Sequence, residues 1–206
     1  YVSFSCDNVP EKRLPKSDKS IGLDVGIKSY LTTSDGDKVE NPKYLKESLS
    51  ELRVKQRKLS RAKKGSGRRK ETKTTVSKRY ERVRNQRNDF LHKLANQYVQ
   101  NNGVIYVENL QINNMVRNHK LARDINDCSW GKFFNLLSYK AAEAGREVIK
   151  VNPRNTSKKC SHCGAINQEL KLSDRMWICK VCGTVHDRDY NGAKNIHADG
   201  QSVREL

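Results

Sequence analysis

No apolar run in this sequence approaches the roughly 18 to 20 residues that a helix needs to cross a bilayer, which excludes a helical membrane span. Internal repeats are also missing, so solenoid and propeller architectures are excluded. Acidic residues are scarce: 23 Asp and Glu face 41 Lys and Arg, a formal net charge of +18 over 206 residues. That imbalance asks for a polyanionic partner, and nucleic acid is the first expectation. An anionic membrane surface fits less well, because no basic amphipathic stretch carries the aromatic side chains that settle at a lipid interface. The length allows one ordinary core with a small appendage. The first residue is Tyr1 and not Met, so a fragment or processed chain is expected, and the lack of a leader says nothing of targeting.

What is there begins with strand and helix patterns. YVSFSCDNV (1–9) alternates like a strand before Pro10 and Pro15 interrupt, and since a single strand cannot stand alone its partners are expected in sequence upstream. IGLDVGIKSYLTT predicts one or two strands, and the Asp-Gly turn in SDGD (34–37) predicts that KVE returns as a hairpin. Leu45, Leu49, Leu52, Gln56 and Leu59 then recur at helical spacing, as do Val76, Tyr80, Val83, Arg87, Phe90 and Leu94. With the charged linker KKGSGRRKETKT between them, they predict an antiparallel helical hairpin over 43–101 with a basic tip. NGVIYVENL (102–110) predicts a strand ending at Glu108, followed by an irregular polar stretch to Asp127. SWGKFFNLLSYKAAEAG predicts a helix capped by Ser129 and ended by Gly145, and EVIKV (147–151) a strand parallel to the previous one through a right-handed crossover. DYNGAKNIHA predicts a last short helix.

Six cysteines occupy positions 6, 128, 160, 163, 179 and 182. The last four form two C-x-x-C pairs separated by fifteen residues, the spacing of a four-cysteine zinc ribbon. Each pair presents two thiolates to one tetrahedral ion, and the following Gly164 and Gly183 ease the turn. Cys160, Cys163, Cys179 and Cys182 fill every coordination position, so the expected zinc is structural and supplies folding free energy to a unit too small for its own core. His162 and His186 are then not needed as ligands and are expected at the surface; Cys6 and Cys128 read as ordinary thiols.

One carboxylate interrupts the glycine-rich strand IGLDVG (21–26). Strand alternation puts Ile21, Leu23 and Val25 on one face and Gly22, Asp24 and Gly26 on the other, leaving Asp24 between two bare positions where a metal ion and a phosphate could approach. Glu108 closes a second apolar strand, and a third acid stands at the start of the final helix, where Asp187 and Asp189 are equally able to cap. Each acid alone reads as a solvated turn residue. As a set they offer the hard oxygen ligands that two divalent ions need to hydrolyse a phosphodiester.

Residues 53–87 hold sixteen Lys or Arg against Glu71 and Glu81. So one-sided a charge favours a compensating polyanion, with contacts that carry affinity but no sequence information. The candidates are Arg53, Arg57, Arg61, Arg68, Arg69, Arg79, Arg82 and Arg84; Arg87 occupies a seam position and is a candidate for pairing within the hairpin. Lys158 and Lys159, with Lys171, Arg175 and Lys180, offer a second and weaker surface near the cysteines.

The motifs IGLDVGIKSY, VIYVENL, TSKKCSHCG and HDRDYNGAKNI, in this order and spacing, resemble the RuvC-like nuclease domain of the TnpB (OrfB) family, transposon-encoded RNA-guided nucleases related to type V CRISPR effectors. The resemblance covers nearly the whole chain. It implies an α/β, RNase H-like (RuvC) mixed sheet with an inserted basic helical hairpin and an inserted four-cysteine zinc ribbon. It divides the chain into a terminal strand and linker of an upstream barrel (1–19), the nuclease domain (20–154 and 186–206) and the ribbon (155–185), a target nucleic-acid-binding insertion. It implies that Asp24, Glu108 and Asp189 bind catalytic Mg or Mn as a pair of ions, with Asp189 chosen over Asp187 because it precedes the run Tyr190-Asn191-Gly192-Ala193. The implied partners are target DNA and a guide RNA that needs the upstream region, with no membrane and no small-molecule substrate, in the cytoplasm of a prokaryote at its nucleoid. The rival functions are a non-catalytic zinc-ribbon nucleic-acid-binding regulator and a strand-transferring transposase.

Overall fold

The computed structural model describes residues 2–7, 9 and 13–205. Its centre is a five-stranded mixed sheet in the order β3-β2-β1-β4-β5. β1 (Ser20–Val25), β2 (Ser29–Thr33) and β3 (Lys38–Glu40) form an antiparallel meander, and the SDGD turn between the last two places Gly36 at φ 101°. β4 (Val104–Glu108) and β5 (Glu147–Val151) extend the sheet on the other side of β1, both parallel to their neighbours.

Between β3 and β4 run α1 (Tyr44–Arg61) and α2 (Gly67–Asn101). Their seam buries Leu52, Val76 and Val83, but Tyr80 is 43% exposed and meets Gln56 through a 2.7 Å hydrogen bond from the amide nitrogen to the phenol oxygen. The turn is shorter than KKGSGRRKETKT suggests. Ser66 accepts from the Arg69 N–H at 3.2 Å and starts α2 at Gly67, so Arg68 to Thr74 are already helical.

Two further corrections concern the segment before β5. The polar stretch after β4 is not irregular: it forms α3 (Ile112–Met115) and α4 (Ala122–Cys128), with Ile125 and Cys128 buried against the core. Ser129 does not cap the next helix, α5 (Trp130–Ala144), with its side chain; it adopts φ 54° and its hydroxyl donates back to the Asn126 carbonyl, so it serves the end of α4. Gly145 ends α5 as expected. The chain closes with the two-stranded sheet of β6 (Met176–Ile178) and β7 (Val185–Asp187), then α6 (Arg188–Arg204), longer than the short helix expected. At the other end, residues 2–7 form no strand, and Val2 and Phe4 are exposed; an extended segment is not a strand without a partner ladder, and none lies among the described residues. Tyr1 and Asn8 of that expected strand fall outside the described residues.

The sheet is covered on both faces. Ile21, Leu23, Ile105 and Val107 join Leu91, Leu94 and Tyr98 of α2 and Phe133 and Leu137 of α5 in the larger core. Val104, Tyr106 and Val151 point the other way and pack with Ile196 of α6. Alternation therefore sends Gly22 and Asp24 of β1, and Tyr106 and Glu108 of β4, to the α6 face. The parallel register pairs Gly22 with Tyr106 and Leu23 with Val107, so Asp24 and Glu108 follow at adjacent positions on neighbouring strands.

α6 comes close enough to β1 that a Cβ at position 22 would lie 2.4 Å from the Ala193 carbonyl oxygen and 2.8 Å from the His197 Cβ. Neither obstacle is a flexible side-chain end. We expect Gly22→Ala to lower stability by about 2–3 kcal/mol, the upper part of the range for overpacking. Gly67→Ala, where a Cβ meets nothing within 4 Å, should be neutral or slightly stabilising, and urea denaturation of the two variants checks the contrast.

Candidate metal centres and nucleic-acid interface

Asp24, Glu108 and Asp189 line one cavity of about 630 Å³, together with Ser157, Arg175 and Arg188. Asp24 comes from the middle of the sheet, Glu108 from the last residue of β4, and Asp189 from the first turn of α6. Geometry separates the two acids that the sequence leaves equivalent. Asp187 is the N-cap of α6, accepting from the Tyr190 N–H at 3.0 Å, and pairs with Lys38 at 2.6 Å. Asp189 is thereby left to the cavity, where Arg175 Nη1 stands 3.3 Å from its Oδ1.

The glycines around Asp24 do not leave open space for an incoming ion. The bare position at Gly22 is occupied by α6, and a Cβ on Gly26 would meet the carbonyl of Ser29, the first residue of β2, at 2.8 Å. A third glycine matters more: a Cβ on Gly192 would lie 2.8 Å from Asp24 Oδ2. Glu108 is held from outside the sheet, because Oε1 accepts the hydroxyl of the buried Thr156.

The charges in the cavity work against one another. Burial raises the pKa of Asp24 well above the usual carboxylate range, and the negative charges of Glu108 and Asp189 add to the rise while Arg188 opposes it. Burial raises Glu108 too, with the Thr156 hydrogen bond and Arg188 pulling back. Asp187 moves the opposite way: burial would raise it, but Lys38 and the helix N–H bonds outweigh that and leave it lowered. Hard oxygen donors that repel one another suit a divalent cation such as magnesium or manganese.

The four cysteines of the two C-x-x-C pairs converge, with all their sulfurs within 4.8 Å of one another. Cys160 and Cys182 are 3.7 Å apart and Cys163 and Cys179 3.6 Å apart, against about 3.8 Å for sulfurs on a tetrahedral ion with metal–sulfur bonds of about 2.3 Å. The donor set therefore fits a structural metal. Gly164 (φ 77°) and Gly183 (φ 71°) each donate to the carbonyl of the cysteine four residues earlier, and neither Cβ would touch anything, so the backbone angle and not space calls for glycine. Cys182 is poised as a thiolate, its pKa drawn down to about 6 by the Thr184 hydroxyl and N–H. His186 is not a surface residue. It is 7% exposed, its Nε2 lies 3.0 Å from Cys160 Sγ, and its ring lies 4.6 Å from that of Trp177, so alternation along β7 turns it inward to support the knuckle.

The basic candidates divide. Arg53, Arg57, Arg61, Arg68 and Arg82 are exposed and their side chains have no ion pair or hydrogen bond among the described residues; Arg84 stands 3.8 Å from Glu81. Arg69 differs, since its Nη1 donates to the Leu59 and Ala62 carbonyls at 2.7 and 3.0 Å and closes the end of α1. Arg79 pairs with Glu51 at 2.7 Å. Lys159 pairs with Asp199 of α6 at 2.8 Å, and Lys158 faces the Gln168 carbonyl at 3.4 Å. Arg69, Arg79 and Lys159 are therefore committed within the fold, Arg69 by acceptors across the turn and the other two by acids on a packed neighbouring helix. Arg87 pairs outside the hairpin, with Asp127 of α4 at 2.5 Å. Unforeseen from the sequence are Lys28, Lys43 and Lys46, which line the acid cavity with an apolar wall of Ile27, Leu110, Met115 and Leu121. No periodicity links those positions; only the fold does.

A carboxyl whose pKa is raised by folding costs stability as pH climbs from its unfolded value through its folded one, because the unfolded chain releases the proton first. Without divalent ions, Asp24→Asn should therefore raise the thermal midpoint at pH 7, with the gain shrinking toward pH 4. Thermal melts across that range in EDTA test the sign.

The OrfB_IS605 family, described as "Probable transposase", matches residues 3–119, and the family "Cas12f1-like, TNB domain" matches residues 130–196. A protein of Streptomyces pristinaespiralis named "Putative RNA-guided DNA endonuclease" is 39% identical over 97% of this chain and 50% of its own length. "Putative RNA-guided DNA endonuclease InsQ" of Escherichia coli K12 is 30% identical over 98% of this chain and 54% of its own. The chain thus spans about half the length of the curated relatives it matches. Among solved structures, the Cas12f1 chain in a complex with sgRNA and target DNA superposes with TM-score 0.64 at 22% identity, over 89% of this chain and 50% of that one, a likeness of fold.

Proposed function

This chain belongs to the OrfB_IS605 family, and from that membership we propose that it is the nuclease portion of an RNA-guided DNA endonuclease that hydrolyses phosphodiester bonds of DNA strands. The observation that carries this reading is the convergence of Asp24, Glu108 and Asp189 from β1, β4 and α6 into one cavity. We take the fold as RNase H-like of the RuvC type: the strand order β3-β2-β1-β4-β5, with an acid on the central strand, one at the end of its parallel neighbour and one on the helix packed across them, supports it. In this reading, Asp24, Glu108 and Asp189 hold two magnesium or manganese ions, and Cys160, Cys163, Cys179 and Cys182 hold zinc. The divalent ions, when bound, activate a water and stabilise the leaving oxygen of the phosphodiester.

The chain's own groups do the rest. Asp24 and Glu108 present carboxylates from adjacent strands, so the sheet fixes the spacing of their backbones. Arg188 and Arg175 flank Asp189 and offset the charge of the acids and of an entering phosphate. Lys28, Lys43 and Lys46 are placed to hold the phosphates beside the one that reacts, and the exposed arginines of the hairpin to bind backbone further off. The ribbon, residues 155–185, would contact target strand, and guide RNA engagement is assigned to the longer protein that the relatives represent.

Two experiments test these assignments. Incubated with labelled single-stranded DNA and magnesium, the protein should yield 5′-phosphate ends, and Asp24→Ala or Glu108→Ala should reduce cleavage by at least about 100-fold while DNA affinity changes less than about threefold. Parallel loss of binding would make these residues structural, and joined DNA products would indicate strand transfer instead. Metal analysis after purification without chelator should return about one zinc per chain, falling toward none in Cys160→Ser with a loss of thermal stability.

A further inference from the structure

Glu108 stands at the last residue of β4, where the parallel ladder ends, so the sheet fixes its backbone but not its carboxylate. The carboxylate is held by Thr156, which belongs to no strand or helix and lies in the turn between β5 and the cysteines. Thr156 is 3% exposed, and its hydroxyl also stands 3.2 Å from the Pro153 carbonyl. A hydroxyl in an irregular turn would ordinarily be free to reorient. Here the turn is fastened to α6. Asn195, 2% exposed, donates its amide to the Thr156 and Lys159 carbonyls at 2.8 and 2.6 Å. One turn earlier Asn191, 1% exposed, donates to the Lys159 carbonyl at 2.8 Å and accepts from the Ser161 N–H at 2.9 Å. One turn later Asp199 takes the Lys159 ammonium at 2.8 Å. Three side chains at four-residue intervals on one face of α6 thus clamp residues 156–161; the two asparagines are too deeply buried to exchange partners with water at little cost, while the Lys159–Asp199 pair closes the clamp at the half-exposed edge.

We propose that Thr156 is a positioning residue for Glu108: its hydroxyl aims the carboxylate for metal ligation, and the Asn191–Asn195–Asp199 face of α6 keeps that hydroxyl in place. The proposal rests on the metal-binding reading of the cavity given above. It means that α6 governs all three acids. It carries Asp189, abuts Asp24 through Gly192, and reaches Glu108 through Asn195 and Thr156. Hydrogen-bonding partners of metal ligands commonly change metal affinity about 10- to 100-fold when removed, and Thr156 occupies that place with its donor hydrogen as the active element.

The test is manganese binding followed by electron paramagnetic resonance, using this chain with Thr156→Val, Thr156→Ala and Thr156→Ser and with Asp24→Asn as the reference for a lost site. Valine keeps the shape and removes the hydroxyl; the ratio of serine to alanine isolates the hydroxyl even where valine disturbs folding. We expect Val and Ala to weaken manganese binding by about tenfold or more, and Ser to stay within about twofold of the wild type, with zinc content unchanged in all three. Equal binding by Ala and Ser, or wild-type binding by Val, overturns the positioning role and leaves the metal site standing. Wild-type protein that shows no manganese binding sensitive to Asp24→Asn overturns the metal reading itself, and this role with it.

Discussion

The distance between α6 and β1 governs the cavity. With no side chain at Gly22 the helix settles against the strand until the Ala193 carbonyl occupies the place a Cβ would take. Further along, Gly200 allows the same approach to the ring of Tyr106 on β4. At that separation a first-turn residue of α6 and two strand residues can share one pocket. A helix lifted by the few ångströms that ordinary side chains require would carry Asp189 away from Asp24 and Glu108. Two small residues on one side of the sheet thus set the scale of a site composed of charged ones, and the buried asparagines of the same helix extend its hold to the turn before the cysteines.

Much of this was legible in the sequence, and the parts that were not share a cause. The alternation of β1 and β4 placed their carboxylates on one face, and the cysteine spacing brought four sulfurs together, because both depend only on local periodicity. The bareness beside Asp24 is also visible in the sequence, but it serves another end: Gly22 makes room for a helix some 170 residues away in sequence, which no local pattern reports. Asp187 and Asp189 are alike in the sequence; the Tyr190 N–H bond makes Asp187 the cap, and Lys38, on a distant strand, holds it there. His186 sits on a three-residue strand too short for alternation to show its inward face; its cross-strand partner Trp177 and Cys160 define that face. Thr156 and Lys28 carry no signature of their own; both gain meaning from what is opposite.

The basic surface shows the same division. A count of arginines in the hairpin treats them as equals, but the fold sorts them by what lies within reach. Those on the outer faces of α1 and α2 face solvent. Arg69 supplies a donor to the Leu59 and Ala62 carbonyls at the end of α1, where no further helical N–H follows. Arg79 holds the two helices together across Glu51, a bond worth at most about 1 kcal/mol at this exposure. The hairpin therefore coheres through a few fixed cations and a thin apolar seam, and leaves the remaining charge outward, where self-repulsion favours any polyanion that lies along it.

Asp127 is the point where this arm is attached. Its carboxylate takes the Leu45 and Lys46 N–H groups at the start of α1, at 3.2–3.4 Å, and the guanidinium of Arg87 on α2 at 2.5 Å, while its own helix forms part of the cavity wall. From Arg87 to the tip at Gly67, α2 rises about 30 Å. The root of the arm is held at the Asp127 side chain and by the packing of Leu91, Leu94 and Tyr98 against the core. The root of the basic arm and the rim of the acidic pocket therefore share one carboxylate, Asp127.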